Sequence, residues 1–162
     1  MSGSLGSAPV PPLEPGDHVR GAADGAPRIV YADYECPYCA VLCMRLAAGN
    51  ERWVFRHFPV RSKHPRAWAA ACAAEAAGLQ GRFWEMHDAL FADQGRLEDP
   101  HLWARARALD LDLARFDAER RSDGVIARVR RDFESGVRAG VVTTPTAFDP
   151  DGATTAGPEA AG

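Results

Sequence analysis

The sequence predicts an α/β fold whose small sheet is interrupted by a long helical insertion. A β-branched and aromatic run at Arg28–Asp33 gives way to a helical pattern near Cys36, and a second such run spans Arg52–Phe58. From Arg66 to about Arg138 only helical patterns occur. Beta character then returns at Val141-Val142, and Ala147-Phe148 and Ala153–Ala156 flank Asp151-Gly152, a favoured tight-turn pair. The order is strand, helix, strand, helical insertion, hairpin.

Each element has its own signal. Residues 1–16 are rich in Gly, Ser and Pro and read as a disordered tail. Asp17–Pro27 is an approach segment with turn residues. Pro37 suits the first turn of the helix that begins near Cys36, because its ring presets φ and its missing N–H would be unpaired there anyway. Pro59 ends the regular pairing of the second strand. In the insertion, Ala67–Ala77 is alanine-rich and stops at Gly78. Gly81–Phe91 spaces Phe83, Trp84, Met86, His87, Leu90 and Phe91 as a helix does. Pro100–Ala108 follows Asp99 as N-cap, then come Asp112–Arg121 and, past Gly124, Val125–Gly136. The organisation expected is a tail over 1–16 and one domain over 17–162, with the insertion at about 64–139.

Composition bounds the function. The chain has 162 residues, 46% hydrophobic and 25% charged, which is ordinary for one globular domain able to bury a core without disulfide staples. A net charge of −3 argues against nucleic acid as partner. Lys63 is the only lysine. No stretch approaches the roughly 20 apolar residues of a membrane span. The N-terminus has neither a basic start nor an apolar core, so no signal peptide is visible and a cytoplasmic protein is expected, or an exported one if a leader was removed.

Cys36-Pro37-Tyr38-Cys39 carries the chemistry. Two thiols separated by two residues, where a strand gives way to a helix, form a redox pair. The helix N-terminus offers unpaired N–H groups and partial positive charge, which stabilise a thiolate. Cys36 is therefore expected to be the nucleophile with a lowered pKa. Cys39, one turn further in, is placed to attack a mixed disulfide on Cys36 and release the product. In a reducing compartment such a pair is catalytic or metal-binding rather than structural. Thr144-Pro145 is the candidate for a cis X–Pro bond facing the dithiol. It would present the Thr144 backbone to an extended substrate, which adds like a strand.

Asp33-Tyr34-Glu35-Cys36-Pro37-Tyr38-Cys39, Arg56-His57-Phe58-Pro59, Ala74-Glu75-Ala76-Ala77, Gly81–Asp88 and Thr144-Pro145-Thr146, in this order, resemble the DsbA-like thiol–disulfide oxidoreductases. The nearest resemblance is to the thioredoxin-like domains fused behind some bacterial sodium/proton antiporters. It runs from about Asp17 to Gly157. It implies a thioredoxin fold with an inserted all-helical subdomain, Cys36 as nucleophile, Cys39 as resolving thiol, and a substrate groove formed by Pro37, Tyr38, Thr144 and Pro145. It also implies protein or small-molecule thiol and disulfide substrates and a recycling redox partner, with no cofactor. Tyr38 stands where many strongly oxidising relatives place a histidine, which implies a less oxidising couple. The resemblance fails after the hairpin. The usual C-terminal helix is lacking, because Thr154–Gly162 leaves nothing to form it. One sheet face is then left for a partner subunit, as in a homo-oligomer, or for the N-terminal tail to cover.

The remaining residues carry blander expectations. Cys43 and Cys72 read as small buried apolar residues. A metal site built from Cys36, Cys39, Cys43 and a histidine lacks the second two-ligand element that zinc sites use, so no metal is expected. His57 and His64 read as surface residues, His87 as packed or capping. Glu35 reads as exposed, and Arg120-Arg121 and Arg128–Arg131 as solvated helix faces. The alternative to an enzyme is a non-catalytic redox-sensing or peptide-binding regulatory domain with the same fold.

Overall fold

The computed structural model describes residues 12–22 and 24–162. A five-stranded mixed sheet has the order β1-β3-β2-β4-β5. Strand β2 (Arg28–Ala32) runs parallel to β3 (Trp53–His57), with Arg28 opposite Trp53 and Ala32 opposite His57. Helix α1 (Pro37–Ala48) connects them. The hairpin strand β4 (Thr146–Phe148) lies antiparallel on β2, and β5 (Thr154–Ala156) lies antiparallel on β4. Gly152, at φ +91°, supplies the left-handed residue in the hairpin connection. On the other edge β1 (His18–Arg20) pairs antiparallel with β3, in a segment expected to hold only turns. Val141-Val142, expected as strand, is not paired.

The insertion between β3 and β4 is α2 (Ala67–Leu79), α3 (Phe83–Ala92), α4 (Asp99–Ala108), α5 (Leu113–Glu119) and α6 (Asp123–Arg138). Helix α2 has no amphipathic stripe because α3, α5 and α6 all pack on it. Its seven small Ala side chains at 67, 70, 71, 73, 74, 76 and 77 are buried and admit this close approach. It runs through Gly78 to Leu79 rather than stopping there, and the left-handed residue of the turn is Gly81, φ +77°; at Gly78 a Cβ would meet the Phe83 Cβ at 3.3 Å. Asp99 does not cap α4. Glu98 takes that position, and Asp99 pairs instead with Arg120 and Arg121.

The core lies on both faces of the sheet. Val30, Trp53 and Phe55 face α1 and the insertion. Ile29, Tyr31, Val54 and Phe58 face α6, where Phe133 stacks on Phe58 with ring centroids 4.6 Å apart. At Gly136 of α6 a Cβ would lie 2.7 Å from Phe58 and 2.9 Å from Tyr31, so the helix sits as close as a bare backbone allows. A buried ion pair crosses this region. Arg56 donates to Asp17 at 2.9 Å and to the Tyr31 hydroxyl at 3.1 Å.

No full helix follows the hairpin; a single turn, α7 (Pro158–Ala161), packs on α1. Arg45 of α1 closes it by donating to the carbonyls of Ala160, Ala161 and Gly162. Both sheet faces carry a helix, so the wholesale exposure that suggested a covering oligomer is not seen. What stays open is an apolar hollow of about 570 Å³ at the N-terminal end of β2, lined by Ile29, Phe148, Pro12 and Leu13 among others. Of the residues read as a tail, 1–11 lie outside the described residues. Within 12–16, the carbonyls of Pro12 and Gly16 accept from Arg56 and Arg128. Among the described residues no helix is long and apolar enough to cross a membrane.

Candidate active site

Strand β2 ends at Ala32, and four residues later Cys36 caps α1. The turn between them is tied down from every side. The Cys36 N–H donates to the Asp33 carbonyl. Glu35 accepts from the Arg66 backbone N–H and side chain at 2.7 and 2.8 Å. Gln94, from the loop after α3, donates to the carbonyls of Tyr34 and Cys36, both at 2.9 Å. The helical insertion thus holds the loop that presents the first thiol.

The two thiols sit in opposite environments. The Cys36 sulfur accepts from the Cys39 N–H at 3.3 Å, the N-cap bond of α1. The Cys39 thiol and that N–H bring the Cys36 pKa down from 9.0 to about 6, against burial and the Asp33 charge, which raise it. Burial pushes the Cys39 thiol well above its ordinary value, and its bond to Cys36 adds to this. Cys43, on the same helix, is buried and likewise raised by burial. Cys72 is buried in α2 and raised to about 11. All four thiols are free.

Facing Cys36 is the loop before β4. The Thr144–Pro145 peptide is cis, and the Thr144 carbonyl lies 3.5 Å from the Cys36 sulfur. A cleft of about 430 Å³ runs between them, lined by Cys36, Pro37, Tyr38, Thr144, Lys63 and His64, among others. Of the residues named from sequence, Pro37, Tyr38 and Thr144 line this cleft. Pro145 is buried and does not. Tyr38, Val41 and Met44 of α1 and Val142 are exposed apolar side chains. Pro37 and Tyr38 are exposed at the helix end, and the largely buried Thr144 lies across the cleft from them.

Several polar residues differ from their sequence expectation. Glu35 is not exposed, because the ion pair with Arg66 draws it against the insertion. His57 is buried in the sheet rather than on the surface, since every residue of β3 is covered by helices. Arg120 is buried between Asp99 and Asp117 while Arg121 stays exposed. His87 is packed, as expected. Its Nδ1 lies 3.0 Å from the Tyr34 hydroxyl, and burial keeps it neutral. Asp33 lies beside the nucleophile, as its place three residues before Cys36 implies, and His64, read as a surface residue, lines the Cys36 cleft and meets Asp33 there. The Asp33 carboxylate accepts from the N–H groups of Glu35 and Val60 and from His64 Nδ1. Asp33 directly follows β2, which ends at Ala32, whereas His64 stands in the loop between β3 and α2.

A metal-capable group exists, although not at the motif cysteines. His18, His57 and Glu75 bring ligand-type atoms within 4.8 Å of one another. Both imidazole Nε2 atoms lie 2.7 Å from one Glu75 oxygen. Burial opposes the Glu75 charge, but these two bonds hold its carboxyl well below the usual range. Metal coordination through His57 Nε2 would place the ring proton on Nδ1, which is buried without a hydrogen-bond partner.

The fold and the dithiol at its helix end define a class of protein. Residues 13–152 match the family model described as thioredoxin, and the chain belongs to that family. More particular likenesses follow. The chain is 44% identical over 144 residues to the Na(+)/H(+) antiporter NhaA 1 of Salinispora arenicola, and 43% identical over 146 residues to an antiporter of Herminiimonas arsenicoxydans. Each alignment covers 85% of this chain but only 22% and 23% of those proteins. Among solved structures, a thioredoxin-like oxidoreductase from Silicibacter pomeroyi superposes with a TM-score of 0.77 at 27% identity, covering 89% of this chain and 85% of that one. Pseudomonas aeruginosa DsbA2 gives 0.64 at 26%, covering 88% and 86%. Wolbachia pipientis α-DsbA2 gives 0.74 at 17%, covering 86% and 78%, which is a likeness of fold.

Proposed function

We propose that this protein is a DsbA-like thiol–disulfide oxidoreductase that works through Cys36 and Cys39 opposite the Thr144–Pro145 loop. The observation that carries this is the contrast between the thiols. Cys36, lowered to about 6, lines an open cleft, while Cys39, held protonated, is buried beneath it. At neutral pH the Cys36 thiolate attacks a substrate disulfide. A bond forms between the Cys36 sulfur and one substrate sulfur, and the other substrate sulfur leaves with the electron pair. Cys39 then loses its proton and attacks Cys36, releasing the second substrate thiol and leaving the Cys36–Cys39 disulfide. A recycling partner reverses the change. The backbone of Val142–Thr144 holds an extended substrate beside Pro37 and Tyr38.

The test is an equilibrium redox titration read by thiol alkylation and mass. A Cys36–Cys39 disulfide forming at a potential well below about −120 mV, the value of strongly oxidising relatives, is the expected result. Absence of that disulfide at every poise would overturn the reading. Cys36→Ser should abolish reduction of insulin disulfides, and full turnover in that variant would sink the mechanism.

A second reading is favoured by one observation. The curated relatives carry this domain as about a fifth of a longer chain. A non-catalytic redox-sensing or peptide-binding domain would serve such an arrangement. It would change state once per signal and bind a partner differently in each state, without multiple turnovers. Turnover number on a small disulfide separates the two readings.

A further inference from the structure

His64 is held in a particular way. Its Nδ1 lies 3.0 Å from Asp33 Oδ2, and its backbone N–H donates to the Val60 carbonyl at 2.8 Å. The side chain of Asp33 is wholly buried and already accepts from the N–H groups of Val60 and Glu35, each at 2.7 Å. Burial raises the Asp33 pKa, against its bonds from Val60, Glu35 and His64, and as a carboxylate it only accepts, which places the hydrogen of this pair on His64 Nδ1. The working nitrogen is then Nε2, on the far side of the ring. Among the described residues Nε2 has no hydrogen-bond partner. The ring is a quarter exposed and lines the same cleft as Cys36.

Other charged and titratable groups lie around the pair. Lys63 lines the cleft beside His64. Glu35 is taken up by Arg66. The nearby thiol of Cys39 is buried. An imidazole oriented by a buried carboxylate and sharing a cleft with a reactive thiol is the arrangement that proton transfer in nucleophilic catalysis uses.

We propose that His64, positioned by Asp33, is the general acid–base that carries a proton to the sulfur leaving a disulfide attacked by Cys36. The inference rests on the oxidoreductase reading given above. Cys36 attacks as the thiolate already present at neutral pH, and His64 Nε2 takes its proton from solvent. When the Cys36 sulfur bonds to one substrate sulfur, the S–S bond breaks and the other sulfur departs with its electron pair. It takes the proton from His64 and leaves as a thiol, and the imidazole returns to neutral. No further oxidant or reductant enters. This help matters for alkyl disulfides, whose departing thiolates are basic and leave slowly. It does not matter for a disulfide whose thiolate is stable by itself. Asp33 acts through His64 as a positioning residue.

The experiment compares two disulfide probes on the reduced full chain. Glutathione disulfide releases a basic thiolate, and dithiobis(nitrobenzoate) a stabilised one. His64→Gln keeps a polar side chain but removes the acid. It should slow the reaction with glutathione disulfide at least about tenfold, positioned general acids typically contributing roughly 10²–10⁴-fold, while the dithiobis(nitrobenzoate) rate stays within about twofold. Asp33→Asn should give the same split with a smaller amplitude. In His64→Ala, added imidazole should restore the glutathione disulfide rate selectively. Equal losses on both probes, or no loss on either, would overturn the role of His64. A wild-type protein that forms no Cys36–Cys39 disulfide with either probe would instead overturn the oxidoreductase reading itself.

Discussion

Cys36 and Cys39 share one helix end yet ionise in opposite directions, and the difference is a matter of which atoms surround each sulfur. Cys36 receives the Cys39 thiol and N–H, and its cleft leaves one side open. Cys39 is enclosed, and burial disfavours its charge. The pH dependence of Cys36 alkylation by iodoacetamide should therefore have its midpoint near about 6, with Cys39 unreactive across the same range. A midpoint near 9.0, the ordinary thiol value, would show that the helix-end bonds contribute nothing. Cys39→Ser should accumulate a mixed disulfide on Cys36, seen by mass, because the resolving thiol is gone. Tyr38→His should move the potential in the oxidising direction, and an unchanged potential in the titration would remove Tyr38 from the residues that set redox poise.

The elements are held by contacts that sequence periodicity does not display. Helix α6 reaches the sheet because Gly136 has no side chain. Gly136→Ala drives a methyl into the rings of Phe58 and Tyr31. Overpacking of this kind costs about 1–3 kcal/mol and should lower the urea midpoint without changing the slope. The segment leading into β1 is held by Asp17. Burial would raise its carboxyl pKa, but Arg56 more than offsets this and holds it below the usual value. Asp17→Ala leaves a buried guanidinium short of its counter-charge, a change worth about 3–5 kcal/mol in stability by thermal or urea unfolding. A loss no larger than that of an exposed ion pair, under about 1 kcal/mol, would show that water reaches Arg56.

Across the whole molecule, the thiolate at Cys36 links redox state to stability. The bonds that lower its pKa exist only in the folded chain. Its pKa is about 6 when folded and the ordinary 9.0 when unfolded. A depressed acid stabilises the folded state most above the unfolded value, and the contribution is lost as pH falls through the folded value. The stability of the reduced protein relative to Cys36→Ser should therefore be largest above about pH 9 and shrink steadily toward pH 6. A difference independent of pH across that window would mean that the thiolate is not stabilised by folding.

Much of this was legible in local chemistry. The strand before Cys36, the proline in the first turn of α1, the helix spacing of Phe83–Phe91 and the Asp-Gly hairpin are short-range signals, and each element formed within a few residues of its expected bounds. The dithiol could be named because its chemistry is carried by adjacent residues. Strand β1 was missed because its three residues pair with β3 only through the sheet, and the cap expected at Asp99 moved to Glu98 because Asp99 pairs with Arg120 and Arg121. Local chemistry along the chain was thus enough for the α/β fold with its helical insertion, and for naming Cys36 and Cys39 as the candidate redox pair. What needed the folded chain was that Gln94 and Arg66 brace the turn before Cys36, and that Asp33 and His64 meet beside it. Those facts depend on residues far apart in the chain, whose burial and charge acquire meaning when the fold brings them together.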